Sequence, residues 1–147
     1  MQISARFTIA LHIFACVDTF SEGYRVTSDF LSSSIGTNPV IIRKILSRLK
    51  NADLISVARG TGGISFNRPL AEISFYDVYK AVDAVENGEL FHFHEHPSSS
   101  CPVGKNIHAL LEDKLDAIQS AMEQEMRKYT IADLHEGMEA LLAGEAA

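Results

Sequence analysis

The chain has 147 residues and a formal charge of −6 at pH 7, with 46% hydrophobic and 22% charged residues. That suits one domain, or one domain plus an appended helical element, with a real core, and excludes a disordered or low-complexity chain. No apolar run approaches the roughly 20 residues that span a bilayer, so no membrane partner is expected.

The apolar run over residues 7–17 lacks a basic leader and carries helical caps rather than a cleavage site, which argues against a secretory signal. Two cysteines far apart, without framework spacing, place the chain in a reducing compartment, the cytoplasm. Residues 4–19 read as a first helix, with Phe7, Ala10, Leu11, Phe14, Ala15 and Val17 on a broad apolar face. Its N-terminal end could lie near a DNA phosphate, with Arg6 assisting. Tyr24-Arg25-Val26 suggests a very short strand.

Residues 27–33 make a short helix with Thr27 as N-cap and Phe30 and Leu31 inward. Residues 35–38 form a turn, and Asn38-Pro39 supplies an N-cap followed by proline at the first helical position. The helix 39–51 buries Ile42, Ile45, Leu46 and Leu49, at i, i+3, i+4, i+7. Its other face carries Val40, Arg43, Lys44, Ser47 and Arg48. Residues 55–59 then alternate like a strand, residues 60–63 are a glycine-rich turn, and residues 64–66 alternate again. A hairpin after a basic second helix is the layout of a winged helix-turn-helix.

Downstream, Ser74 and Asp77 form a capping-box pattern, and Phe75, Val78, Tyr79, Val82 and Val85 give a helical stripe that runs to Asn87-Gly88. Residues 89–103 have loop composition. A long helix occupies residues 104–129, with Ile107, Leu110, Leu111, Leu115, Ile118, Met122, Met126 and Tyr129 in one stripe. So long an apolar stripe beside so small a domain calls for a second copy of the chain to cover it. A last helix starts near Thr130 and is expected to fray over the final five residues. The expected fold is mainly α with a small β-wing. It divides into a DNA-binding unit (1–86), a sensor-like loop (87–103), and a dimerisation helix with a C-terminal helix (104–147).

Residues 36–68 hold six Lys or Arg against Asp53 alone, a local +5, which leaves −11 for the remainder. One basic stretch on an acidic protein fits a docking surface for double-stranded DNA. The candidate contacts are Thr37, Asn38, Val40, Arg43, Lys44, Ser47, Arg48, Arg59 and Thr61. Arg43 suits bidentate recognition of guanine, Val40 a thymine methyl, and Arg48 a phosphate. The glycine turn lacks the Lys-Ser/Thr and the strand–helix context of a nucleotide loop. Acids spread over helix faces and no nucleophile–His–acid arrangement is visible, so an enzyme is not expected.

The loop offers two further chemistries. His92, His94 and His96 alternate with Phe91, Phe93 and Glu95, so an extended segment would point three imidazoles one way, toward Zn, Ni or Cu. Cys101 or His108 could add a ligand. A surface loop with the two phenylalanines anchored inward and the histidines solvated is the plainer reading. Cys101 precedes the long helix, where the helix dipole favours thiolate and hence redox sensing. A cysteine merely packing the hinge is the plainer reading. Cys16 lies on the apolar first helix, and His12 and His135 are isolated.

In its order of elements the chain resembles the Rrf2 family of bacterial winged-helix transcriptional regulators over residues 1–142. The likeness rests on Met-Gln-Ile-Ser-Ala-Arg-Phe-Thr-Ile-Ala-Leu at the start and on residues 45–55. It also rests on Arg59-Gly60-Thr61-Gly62-Gly63, similar to a wing signature of Arg-Gly, two variable positions and Gly-Gly. Gly62 takes the second variable position, and Gly63-Ile64 departs from the usual Gly-Gly-Tyr register. The resemblance implies a homodimer joined through helix 104–129 that binds a palindromic operator, with Arg59 as the minor-groove arginine. Some members hold an iron–sulfur cluster through three loop cysteines. Here the loop has only Cys101, so no cofactor is expected, and the chain resembles the cluster-free, cysteine-metabolism and thiol-responsive repressors. A metal-responsive or metal-binding protein centred on the histidines, and a winged helix used for protein contact, are the alternatives.

Overall fold

The computed structural model describes residues 3–23 and 25–146. Six α-helices and one hairpin follow in order: α1 (Arg6–Phe20), α2 (Ser28–Ile35), α3 (Pro39–Asn51), β1 (Ile55–Val57), β2 (Ile64–Phe66), α4 (Phe75–Ala81), α5 (Pro102–Lys128) and α6 (Ile131–Ala146). Local chemistry sets most of their ends. Thr27 accepts the Phe30 amide at 3.2 Å to start α2, which closes at Gly36 with φ +76. Asn38 accepts the Val40 amide at 2.7 Å to start α3, with Pro39 behind it. The Ser74–Asp77 capping box is formed, with contacts of 3.1 and 2.9 Å.

The strands pair antiparallel, with Ile55 opposite Phe66, Ser56 opposite Ser65 and Val57 opposite Ile64. β1 stops at Val57, two residues earlier than the alternation suggests. Ala58 instead turns, accepting the Gly62 amide and donating to Gly63. Arg25 and Val26 are in no strand, and Tyr24 lies outside the described residues.

α1 is the spine of the core. Its Phe7, Ala10, Ile13, Phe14 and Val17 are buried with Leu31, Ile42, Ile45, Leu49, Leu54, Ile73 and Val78. Phe14 stacks on Phe66 at 5.6 Å, which fixes the wing to the helical layer. α6 returns to this core. Ile131 is fully buried, its amide bonds the Ile73 carbonyl at 2.9 Å, and α6 is helical to Ala146, through residues expected to fray, while Ala147 lies outside the described residues.

α4 ends well before Asn87. Val82 caps it, and Asp83 takes φ +53, a left-handed turn that sends the chain on to a 3₁₀ turn at Glu86–Gly88. Val82, Ala84 and Val85 are still buried, so the apolar stripe is real although the helix under it is not continuous. Two guanidiniums claim the reversed end. Arg6 Nε and Nη2 donate to the Val82 and Asp83 carbonyls at 3.1 and 2.6 Å. Arg48 Nη1 reaches the same Val82 carbonyl at 3.5 Å and lies 4.0 Å from Asp83 Oδ2. Arg6 therefore caps the carbonyl end of α4 within the fold. Charged donors on carbonyls contribute about 1.5–3 kcal/mol each, so Arg6→Ala is expected to cost at least ~1.5 kcal/mol in urea unfolding. An unchanged midpoint would reject the capping role.

His135 is not isolated either. Its Nδ1 lies 2.7 Å from Asp18 Oδ2 on α1, and its Nε2 lies 3.2 Å from Glu139 on α6. The Asp18 hydrogen bond first, then the charges of Asp18, Glu139 and Glu136, raise its pKa above the ordinary imidazole value. A raised folded pKa gives stability that is complete below the unfolded value and is lost as pH rises through the folded one. The Tm difference between the wild type and His135→Gln should therefore shrink from mildly acid to mildly alkaline pH. A difference that grew with pH would refute the pairing.

Candidate nucleic-acid interface

The exposed face of α3 and the hairpin form one surface. Arg43, Ser47 and Lys50 line a groove of about 330 Å³ with Thr27 and Ser28 at the start of α2 and with Val57 and Gly62 of the wing. At about 100° per residue, Arg43 and Lys50 fall on the wing side of α3, and Val40, Ser47 and Lys44 near the middle of its open face. Val40 and Ile41 are exposed, Val40 by 50%, so the helix offers alkyl groups to a partner as well as charge. Arg43, Lys44, Lys50 and Arg59 have no ion-pair partner among the described residues.

Other candidates fall elsewhere. Arg48 leans toward α4, away from the groove. The Thr37 carbonyl accepts the Ser32 hydroxyl in the turn, and Asn38 Oδ1 accepts the Val40 amide as the α3 cap. Arg59 and Thr61 sit in the exposed hairpin tip, where Gly60 and Gly62 take φ +78 and +71. Any other residue there would be strained.

One residue escaped sequence reasoning. Asn67 donates to Asp53 Oδ1 at 3.0 Å and to the Ile55 carbonyl at 3.1 Å, and accepts the Ser56 hydroxyl at 2.6 Å. It ties the base of the wing to the end of α3, and so fixes the width of the groove. An asparagine just beyond a predicted strand was the only signal available.

The chain matches the Rrf2 family, described as an iron-dependent transcriptional regulator, over residues 3–137. The chain belongs to the Rrf2 family. It is a DNA-binding transcriptional regulator and not an enzyme. It is 36% identical over 133 residues to YwnA of Bacillus subtilis (strain 168), named as an HTH-type transcriptional regulator, with 90% of this chain and 96% of YwnA covered. A crystal structure of a DNA-binding protein is 32% identical, with a TM-score of 0.71 over 88% of this chain and 98% of the other. CymR, the global cysteine regulator of B. subtilis, shares the fold at 18% identity, with a TM-score of 0.65 over 91% and 95% of the two chains. Among the described residues no helix is long and apolar enough to cross a membrane.

The residues present do not fit an iron–sulfur cluster. The chain has two cysteines. Cys16 is buried on α1, 3.3 Å from the Ser34 hydroxyl, and Cys101 is exposed at the start of α5. One thiolate in the loop is too few. The histidines do not gather either. The His94 and His108 rings meet edge to face at 5.6 Å, with His108 Nε2 on the His94 carbonyl, while His96 lies exposed beside Glu95. Among the described residues no group of three or more His, Cys, Asp or Glu side chains is placed to hold a metal ion.

The loop is clamped to α5. Gln119 accepts the Leu90 amide at 3.0 Å and donates to the Gly88 carbonyl at 2.8 Å, and the Phe93 ring packs on His108 at 4.5 Å. A Cβ on Gly104 would stand 2.5 Å from the Ser98 carbonyl oxygen, so only glycine admits this approach. α5 begins at Pro102, two residues before the glycine, which makes Cys101 its N-cap residue. The amides of Gly104 and then Val103 hold its thiol below the usual range.

Proposed function

We propose that this protein acts as a homodimeric repressor on a palindromic operator. α3 reads the major groove and the hairpin anchors the flanking minor groove. The observation that carries this reading is the groove between α3 and the wing, walled by cations left without partners. In it Arg43 takes a base edge or nearby phosphate; on the open face beside it Val40 takes a thymine methyl and Lys44 and Ser47 the adjoining backbone, while Arg59 and Thr61 ride with the wing. Thr37 and Asn38 position the helix start. Arg48 contributes through the placement of α3 more than through contact. No iron–sulfur cluster takes part, since the cysteines for one are missing.

The long helix supports the dimer. Val103, Leu110 and Ile118 on α5 are each more than half exposed, and no α5 residue is fully buried. Covering this stripe with its copy in a second subunit would set the two α3 helices one DNA turn, ~34 Å, apart. Ile118→Glu is expected to give a folded monomer by light scattering with weakened operator binding. A variant that remained dimeric would refute the α5 interface.

The switch assigned to the loop is the Cys101 thiolate. With diamide as electron acceptor and glutathione as second thiol, Cys101 forms a mixed disulfide and diamide becomes the hydrazine. Fluorescence anisotropy on DNA from upstream of the protein's own gene, with random competitor, tests both parts. Arg43→Ala should cost ~1–3 kcal/mol on the specific site and little on random DNA. An unchanged ratio would remove Arg43 from base reading. Oxidation should abolish specific binding in the wild type and spare Cys101→Ser. Equal loss in both would exclude the thiol.

A further inference from the structure

A second groove, of about 320 Å³, lies behind the reading face, where α3 passes into the wing. Ala52 and Leu54 form one wall, Tyr76 and Ala81 of α4 the other, and Arg68 closes the end below β2. Two cations, Arg68 and Lys80, and the carboxylate of Asp77 also line it, and a third cation, Arg127, stands next to it across Tyr76. Arg68 Nη1 is 3.8 Å from Asp77 Oδ2, an ion pair beyond hydrogen-bond reach, and that oxygen already accepts the Ser74 amide at 2.9 Å. Lys80 Nζ lies 5.9 Å from the Tyr76 ring centroid. Arg127, near the end of α5, sits over the same ring at 3.9 Å. Neither Lys80 nor Arg127 has an acidic partner among the described residues.

We propose that this groove binds a small organic anion. Its carboxylate or phosphate sits between Arg68 and Lys80, and its flat or apolar body lies along Tyr76, Ala52 and Ala81. Charge and shape both point there. A guanidinium fork with spare donors matches an oxyanion, and the part of Tyr76 that lines the groove, with Ala52 and Ala81, gives an apolar wall for the body. The volume falls at the lower end of small-molecule pockets, ~300–1,000 Å³. A DNA phosphate alone would use the cations and leave the apolar walls without a purpose. The groove touches the residue after α3, the base of the wing, α4 and, through Arg127, α5. An occupant therefore bears on the reading helix and the long helix together, and by linkage its affinity and that for DNA must affect each other if it alters their packing.

The test is an NMR titration of the full-length ¹⁵N-labelled protein with phenyl phosphate, benzoate, inorganic phosphate and benzyl alcohol. Saturable shifts at the Ala52, Leu54, Tyr76 and Ala81 amides are expected with phenyl phosphate or benzoate. Inorganic phosphate should bind more weakly and benzyl alcohol not at all. Lys80→Gln and Tyr76→Leu, with the rest of the spectrum retained, should each weaken binding about tenfold or more. No saturable shift into the millimolar range would overturn the proposal, as would an equal response to benzyl alcohol. Inorganic phosphate binding as tightly as phenyl phosphate would overturn it too. If Lys80→Gln lowers DNA affinity while no organic anion binds, the patch is a backbone contact and the proposal fails.

Discussion

The carbonyl end of α4 is where this fold is locked. A seven-residue helix leaves its last carbonyls without internal partners and carries a partial negative charge there. Arg6 from α1 and Arg48 from α3 bring two full positive charges to that end, and the Ser4 amide adds a third donor at the Ala84 carbonyl, 2.8 Å away. Three segments far apart in sequence thereby meet at one turn. α3 is held from behind by Arg48 and from below by Ile42, Ile45 and Leu49, while its other face stays exposed. In the proposed reading of DNA, a helix that wandered by about an ångström would lose its register with base edges.

This arrangement also changes what the basic stretch means. A count over residues 36–68 treats six cations alike. In the structure Arg48 faces Asp83 and Arg68 faces Asp77, and the four with no ion-pair partner among the described residues are Arg43, Lys44, Lys50 and Arg59. Those four flank α3 and ride on the wing tip. The usable positive surface is smaller than the count, and better placed.

How much could be read in advance follows the range of the interactions. Thr27, Asn38-Pro39 and Ser74-Asp77 act within three residues of themselves, so their helix starts were legible. The apolar stripe of α3 was legible because one helix face repeats with the helical period. The end of α4 was not. Val82 and Val85 keep the helical spacing of buried positions, and the guanidiniums that mark where the helix stops, Arg6 and Arg48, lie 76 and 34 residues from Val82. Asn67, Arg48 and His135 were opaque for the same reason, since each takes its role from a partner distant in sequence. The alternating histidines misled in a different way. Strand-like alternation predicts a shared side only if the segment is a strand, and here it lies against α5 without regular pairing.

The loop and the long helix behave as one piece. Gln119 holds the Gly88–Leu90 end, Phe93 packs on His108 in the middle, and the Ser98 backbone rests against Gly104 at the far end. Cys101 lies between that last contact and the first turn of α5. Its sulfur is exposed, and the Gly104 and Val103 amides favour the thiolate. Under the proposed thiol switch an added group would give up those amides in the turn that also carries Val103, the first residue of the exposed apolar stripe of α5. The proposed thiol chemistry and the proposed dimer surface thus share the first turn of one helix.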